Sequence, residues 1–252
     1  MKKKDFKTSI QQKIDLPSHG IPYGDTIPES FNLRPLTVNE TKMLYGSSNI
    51  SSALDTVLEK CIDVEDFPVK KLLIGDKLYL VYQLRALTFG ENYDITLKCP
   101  HCSKQVDVSF NLAEAEIDYA TDDFEMYKNI GKLPVSGDEI VTKILTVGDY
   151  ENIIERAQQI KSDYPDYEGD PFIPLSLAFQ IYTINGDKLN IKKREQYAND
   201  MHAMDELYIS EKITRVSVGP KAIQHIECPE CEKDIAFQIR TSEEFFRPKI
   251  NF

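Results

Sequence analysis

The chain has 252 residues and a net charge of -11, from 41 acidic and 30 basic side chains. That balance argues against a phosphate-tracking nucleic-acid binder, whose affinity comes mostly from neutralising phosphates. Hydrophobic residues at 41% and charged residues at 28% suit a globular protein that buries a proper core as one large or two small domains.

No run of about 18 uncharged apolar residues is present, so no membrane span is expected. The start, Met1-Lys2-Lys3-Lys4-Asp5, has no apolar run behind its basic cluster and does not read as a signal peptide. The expected setting is the cytoplasm or a particle assembled there.

Residues 1–35 are rich in Pro, Gly and Ser, as in Leu16-Pro-Ser-His-Gly-Ile-Pro-Tyr23. Proline fixes φ and removes donors, so this segment is expected to be an extended arm or looped lead-in rather than a helix, of the kind that orders on a partner. Residues 36–92 form a helical region. Thr37-Val-Asn-Glu40 is a capping-box pattern that starts a first helix, and a second runs from about Ser52 to Asp63. Within it Cys61 falls on the apolar face and reads as a small buried hydrophobe. Asp76 to Phe89 fits a strand at Leu78, Leu80, Tyr82 and Leu84 and a helix at Leu78, Val81, Leu84 and Arg85. Its length and lack of internal Gly or Pro favour the helix, which Gly90 ends.

Residues 93–112 read as strand, knuckle and strand, with Cys99-Pro-His-Cys102 at the tip. Residues 223–252 repeat the unit with Cys228-Pro-Glu-Cys231 and a C-terminal tail. Both copies share Cys-Pro-x-Cys-x-Lys and a following strand that contains Phe110 or Phe237.

The intervening insert, 113–222, is mixed and largely helical. A strand is expected over Ile140 to Leu145, a helix over Asp149 to Ile160, and a loop over Asp163 to Pro171. Pro174 to Ile184 reads as a buried helix or strand ended by the Asn185-Gly186 turn. A helical stretch follows from Lys192 to Val216, with Tyr197, Met201, Met204, Leu207 and Tyr208 near helical period. The basic run Lys192-Lys193-Arg194 reads as a solvated helix end.

The fold class expected is therefore α+β: a helical N-terminal part plus a four-cysteine, zinc-ribbon-like β unit split by the insert. Zinc takes four tetrahedral thiolate or imidazole ligands, and a Cys-x-x-Cys turn presents two thiolates from one bend. Two matching pairs make Cys99, Cys102, Cys228 and Cys231 one candidate metal site. Structural Zn2+ is the leading occupant, with iron in the same geometry, redox pairs or a disulfide as alternatives.

The 125 residues between Cys102 and Cys228 are no obstacle, since doubling a loop adds only about 0.6 kcal/mol. Structural zinc is worth roughly 10–16 kcal/mol in small peptides, on the scale of a whole domain's stability of about 5–15 kcal/mol. His101 and His225 are expected outside the ligand set. Lys98, Lys104 and Lys233 lie close enough in sequence to soften the site's negative charge. A closed four-thiolate site has no open position and is structural rather than catalytic.

No phosphate loop, His-Glu-x-x-His or Gly-x-Ser-x-Gly pattern occurs. The four histidines, His19, His101, His202 and His225, have no triad context, so no enzyme is expected.

The chain resembles the baseplate hub protein family of T4-like contractile-tailed bacteriophages, the gene 26 product and its relatives. The resemblance runs through Leu16 to Tyr23, Arg34-Pro-Leu-Thr37, Asp76 followed by Arg85, and Phe89-Gly-Glu-Asn-Tyr93. Further on it takes in Ile184-Asn-Gly-Asp-Lys188, Arg194 and Asp205, and so spans most of the chain. It implies a non-enzymatic virion or assembly protein of the phage tail, at the baseplate hub near the tape-measure end of the tube. Implied partners are other baseplate or tail proteins, with a homo-oligomer open and no membrane or nucleic acid. The implied location is the virion, or the host cytoplasm during assembly. A zinc-ribbon adaptor in transcription or nucleic-acid handling, and a thiol oxidoreductase, are the competing functions.

Overall fold

The structure is a computed structural model and describes residues 10–47 and 49–248. In chain order it begins with β1 (Gln12–Asp15), a 3-10 turn over Ile21–Thr26 and β2 (Ser30–Leu33), which pairs antiparallel with β1. Helices α1 (Val38–Tyr45), α2 (Ile50–Cys61) and α3 (Ile74–Phe89) follow. Next come β3 (Asn92–Lys98) and β4 (Gln105–Asn111), then the short β5 (Ile117–Asp118). The insert supplies β6 (Tyr127–Lys132), β7 (Glu139–Lys143), α4 (Val147–Asp163), α5 (Phe172–Gln180), β8 (Ile181–Ile184), α6 (Ile191–Asn199) and α7 (Ala203–Thr214). The chain returns through β9 (Gly219–Pro220) to the second hairpin, β10 (Gln224–Glu227) and β11 (Asp234–Phe237).

Residues 10–35, expected as an extended arm or looped lead-in, fold back onto the chain's own core. Ile14, Leu16, Tyr23, Ile27, Phe31 and Leu33 are all buried in the main core with α2 and α3. The prolines shape a wrapped strap around these apolar positions, so burial of its own side chains decides the segment's conformation. Its central anchor is the fully buried Asp76 in the first turn of α3. The carboxylate accepts from the Ser18 N–H at 3.0 Å and from the Tyr23 hydroxyl, which itself accepts from the Leu73 N–H at 2.8 Å. Burial pushes the Asp76 carboxyl up and these donors pull against it. Residues 1–9 of the expected arm lie outside the described residues.

The helix starts follow their caps. Glu40 reaches back to the Thr37 N–H at 2.7 Å, and Asn49 accepts from the Ser52 N–H at 3.2 Å. Helix α3 buries Leu80, Val81, Tyr82, Leu84 and Arg85, residues on several faces. That is why strand and helix periods both fitted its sequence: a helix sunk in the core carries no single apolar stripe.

The insert has its own core, where Ile140, Ile181 and Ile184 of an antiparallel β6-β7-β8 sheet meet Leu177, Ala178, Ala198, Ile209 and Ile213. Pro174 to Ile184 is both things expected of it, a helix running into a strand, and the Asn185-Gly186 turn has both φ positive at 52° and 85°. Strand β6 had no strong signal, because Gly131 interrupts it at a bulge. The helical stretch from Lys192 divides in two at residues 200–202, where the His202 ring accepts from the Met204 N–H at 3.2 Å and caps α7. Met204 and Leu207 consequently face outward, while Ile209 and Ile213 face the insert core.

The two halves cross at a pair of glycines. A Cβ on Gly219, whose φ is +107°, would sit 2.5 Å from the Gly75 Cα, and a Cβ on Gly75 would run into the Val218 carbonyl. Only two residues without side chains let the start of α3 and β9 approach this closely. Gly75→Ala is expected to cost about 3 kcal/mol and lower the melting temperature by about 10 °C in a thermal unfolding scan. An unchanged melt would mean the crossing is loose.

A second prediction concerns Glu40. Burial raises its carboxyl, but paired hydrogen bonds from Arg34 at 3.2 and 3.0 Å and those from Thr37 outweigh burial and hold it down to about 2, from an ordinary 4.5. Its contribution is present above the unfolded value near 4.5 and is lost as pH falls toward about 2. Glu40→Gln should destabilise by about 2 kcal/mol at neutral pH, with the gap to wild type closing in acid melts. A gap independent of pH would contradict the pairing.

Candidate metal centre

Each knuckle is built from the same backbone. In the first, the Cys99 N–H donates to the Lys104 carbonyl and the Ser103 N–H to the Cys99 carbonyl, both at 2.9 Å. In the second, Cys228 N–H to Lys233 and Glu232 N–H to Cys228 repeat the pattern at the same 2.9 Å. Ser103 and Glu232 occupy equivalent left-handed positions with φ of 63° and 56°. Each turn closes an antiparallel hairpin, β3–β4 or β10–β11, and the two hairpins are separate two-stranded sheets rather than one.

Their apolar faces meet. Cys99, Val106, Cys228 and Ile235 are buried together with Leu97, Val108 and Ile226 alongside, and Phe110 meets Phe237 edge-on at 5.2 Å. The sequence repeat therefore corresponds to two like units packed against each other. Outside the hairpins, β5 pairs with β9. The buried Gln224 amide is fully used between the same segments: its oxygen accepts from the Glu116 N–H at 2.8 Å, and its nitrogen donates to the Glu116 and Lys221 carbonyls.

This packing brings Cys99, Cys102, Cys228 and Cys231 together, with all four sulfurs within 4.8 Å of one another. Cys99 Sγ lies 3.7 Å from Cys231 Sγ, and Cys102 Sγ 3.9 Å from Cys228 Sγ. A tetrahedral ion with metal–sulfur bonds of about 2.3 Å has sulfur–sulfur edges of about 3.8 Å, whereas a disulfide requires about 2.05 Å. The spacing thus fits a shared cation. Cys99 and Cys228 have no exposed surface, and Cys102 and Cys231 are partly exposed.

The electrostatics of four adjacent thiols are asymmetric. The N–H groups of Cys102 and His101 favour the Cys99 thiolate and bring that thiol down to about 6. At Cys231 the Lys233 N–H works the same way, but burial and the other three sulfurs overcome it and push the thiol up to about 12. One ionised sulfur thus suppresses ionisation of its neighbours.

Both histidines stand outside the four-sulfur cluster. His101 Nε2–H donates to the Asp234 carbonyl at 3.0 Å, and His225 Nδ1 lies 2.7 Å from the Asp234 carboxylate. Of the three lysines expected to soften the charge, Lys104 is drawn to Glu230 of the other knuckle, which raises its ammonium with a smaller push from Cys102 and Cys228. Glu230 and Asp234 were not foreseen as linkers. The internal repeat carried a signal for Glu230, since it stands where His101 stands and so faces the partner knuckle. Cys61 is buried in α2 apart from the cluster, and burial pushes its thiol up to about 12.

Comparison with curated proteins matched nothing, and neither did comparison with solved structures. The family model described as T4 bacteriophage base plate protein matches residues 9–161, which take in the strap, α1 to α3, the first knuckle and most of α4. The chain belongs to the T4 bacteriophage base plate protein family.

Proposed function

We propose that this chain is a non-enzymatic structural or assembly component of a contractile phage tail, at the baseplate hub, with one structural zinc ion clasping its two halves. The family match over residues 9–161 carries the baseplate part of this reading. The hub position rests on the order of short motifs from Leu16 through Asp205. The zinc rests on the four-sulfur cluster, whose spacing suits a tetrahedral dication.

Bound zinc would be held by Cys99, Cys102, Cys228 and Cys231 and would supply a cross-link between the hairpins, relieving the mutual repulsion of their thiolates. His101, Lys104, Glu230 and Asp234 support it by joining the knuckles from outside. Partners are other hub and tail proteins near the tape-measure end, met first in the host cytoplasm and then in the virion. A second copy of the chain is among them if the hub is built with symmetry.

Mass spectrometry of purified virions, followed by cross-linking within isolated tails, tests the placement. The expected result is this chain present and cross-linked to hub and tube-end proteins. Absence from finished particles would assign it to transient assembly, and cross-links confined to the baseplate periphery would sink the hub position.

The metal has a separate test. The full chain is expected to purify with about one equivalent of zinc, and Cys228→Ala to lose most of it. Chelation should raise amide exchange in residues 219–240 before α1–α3 respond. A melt unmoved by strong chelator would rule the clasp out.

A further inference from the structure

The sulfurs of the cluster touch across the knuckles. Cys99 meets Cys231 and Cys102 meets Cys228, at 3.7 and 3.9 Å and with hydrogen-bonding geometry. Each contact joins a fully buried cysteine, Cys99 or Cys228, to a partly exposed one, Cys231 or Cys102. Such a pair contains an accessible thiol for an oxidant to reach and a sheltered one to resolve it.

Contacts that need no metal keep the knuckles together. They include the Phe110–Phe237 edge contact, Val106 against Ile235, the His101–Asp234 hydrogen bond and the Lys104–Glu230 ion pair. Beyond them the Gln224 amide ties the entry to the second hairpin onto Glu116. Loss of a cation therefore leaves the four sulfurs apposed.

We propose that this cluster is a redox-convertible clasp, in which a peroxide replaces the metal with two disulfides across the knuckles, Cys99–Cys231 and Cys102–Cys228. The proposal rests on the metal reading for its starting state only. In each pair the accessible thiolate takes one oxygen from peroxide, giving a sulfenic acid and, with a proton, one water. The sheltered thiolate attacks that sulfur, and the hydroxyl leaves with a second proton as another water. Each pair gives up two electrons to one peroxide, and the dication departs unchanged in oxidation state. Over the cluster, two peroxides and four protons convert four thiolates into two disulfides and four waters.

Thermodynamic linkage favours these pairings over disulfides inside each Cys-x-x-Cys. A cross-link stabilises a fold by restricting its unfolded chain, and the fold stabilises that cross-link equally. The cross-knuckle bonds span 132 and 126 residues, whereas a knuckle-internal bond spans three. A tail protein is synthesised in a reducing cytoplasm and ends in an oxidising exterior, the transition that separates thiolate from disulfide. The clasp would then outlast its metal.

The test uses the full, zinc-loaded chain and dilute hydrogen peroxide. Released zinc is read with a chromophoric chelator, and disulfides are mapped by tryptic mass spectrometry without reduction. Cleavage after Lys98, Lys104, Lys221 and Lys233 puts each knuckle on its own peptide, so cross-knuckle bonds join two peptides and internal ones do not. The expected products are the joined pair, loss of zinc, and Cys61 still open to alkylation after unfolding. Between double variants, Cys102→Ser/Cys228→Ser, which keeps Cys99 and Cys231, should cross-link about tenfold faster than Cys102→Ser/Cys231→Ser, which keeps the two buried thiols.

Separate knuckle peptides with internal disulfides, or sulfonic acids without linkage, would overturn the pairing while leaving the metal reading intact. A chain that purifies without metal yet gives the joined peptides would overturn the metal reading and uphold the cross-knuckle linkage, whose partners the double variants then assign.

Discussion

Four thiols within 4.8 Å of one another are a costly arrangement, because each one that ionises makes the next harder to ionise. The descent of Cys99 to about 6 against the rise of Cys231 to about 12 expresses that conflict. A cation among the sulfurs, or bonds between them, lets all four give up their protons without that conflict. Either solution joins a hairpin that follows α3 directly to one whose first cysteine is separated from Cys102 by 125 residues, so the local chemistry governs the global connection.

That connection is not left to the sulfurs alone. The Gly75–Gly219 crossing sets α3 against β9, and Gln224 satisfies its amide wholly within the neck between the hairpins. Farther along, Phe245 and Phe246 are fully buried, and Arg85 donates to the Phe245 carbonyl at 3.4 Å while its guanidinium sits over the Tyr93 and Phe245 rings. The returning chain therefore meets the N-terminal core by backbone approach, by amide exchange and by aromatic packing. These ties do not share partners, so weakening one leaves the others in place. The insert has a core of its own yet is also tied to the N-terminal body, where Ile144 and Val147 join the main core and the Val147 N–H donates to the Leu72 carbonyl at 2.8 Å.

What was legible in the sequence divides along physical lines. Local signals spoke clearly where one residue type serves one backbone need: the Thr37–Glu40 cap, Gly90 at the end of α3, the Asn185-Gly186 turn, the duplicated knuckle. The four cysteines could be grouped because their chemistry has a fixed ligand count. Residues 10–35 were misjudged because their prolines were weighed and their spaced apolar residues were not; Ile14, Leu16, Ile27 and Phe31 become a core only when α2 and α3 are there to receive them. The placement of Met204 and Leu207 turned on a break at His202 that helical periodicity does not register. Gly75 and Gly219 gave no warning, since a close approach between distant segments leaves no mark in either one alone.

Several polar residues of the motifs that carried the family resemblance work inside the fold, although Gly90 to Asn92 and Asn185 to Lys188 are exposed. Ser18 and Tyr23 serve Asp76, Arg34 holds Glu40 and the Lys60 carbonyl, Arg85 braces the C-terminal phenylalanines, and Asp205 accepts the Val135 and Ser136 N–H groups at 2.7 and 2.9 Å. Buried polar groups with full sets of partners specify one arrangement of backbone, because any other leaves them unsatisfied. These positions therefore encode how the chain folds rather than what it touches. Choice of neighbour is decided at exposed residues, where no internal partner leaves a local signal to read, and this is the physical reason membership of the family was readable from sequence while its partner contacts were not.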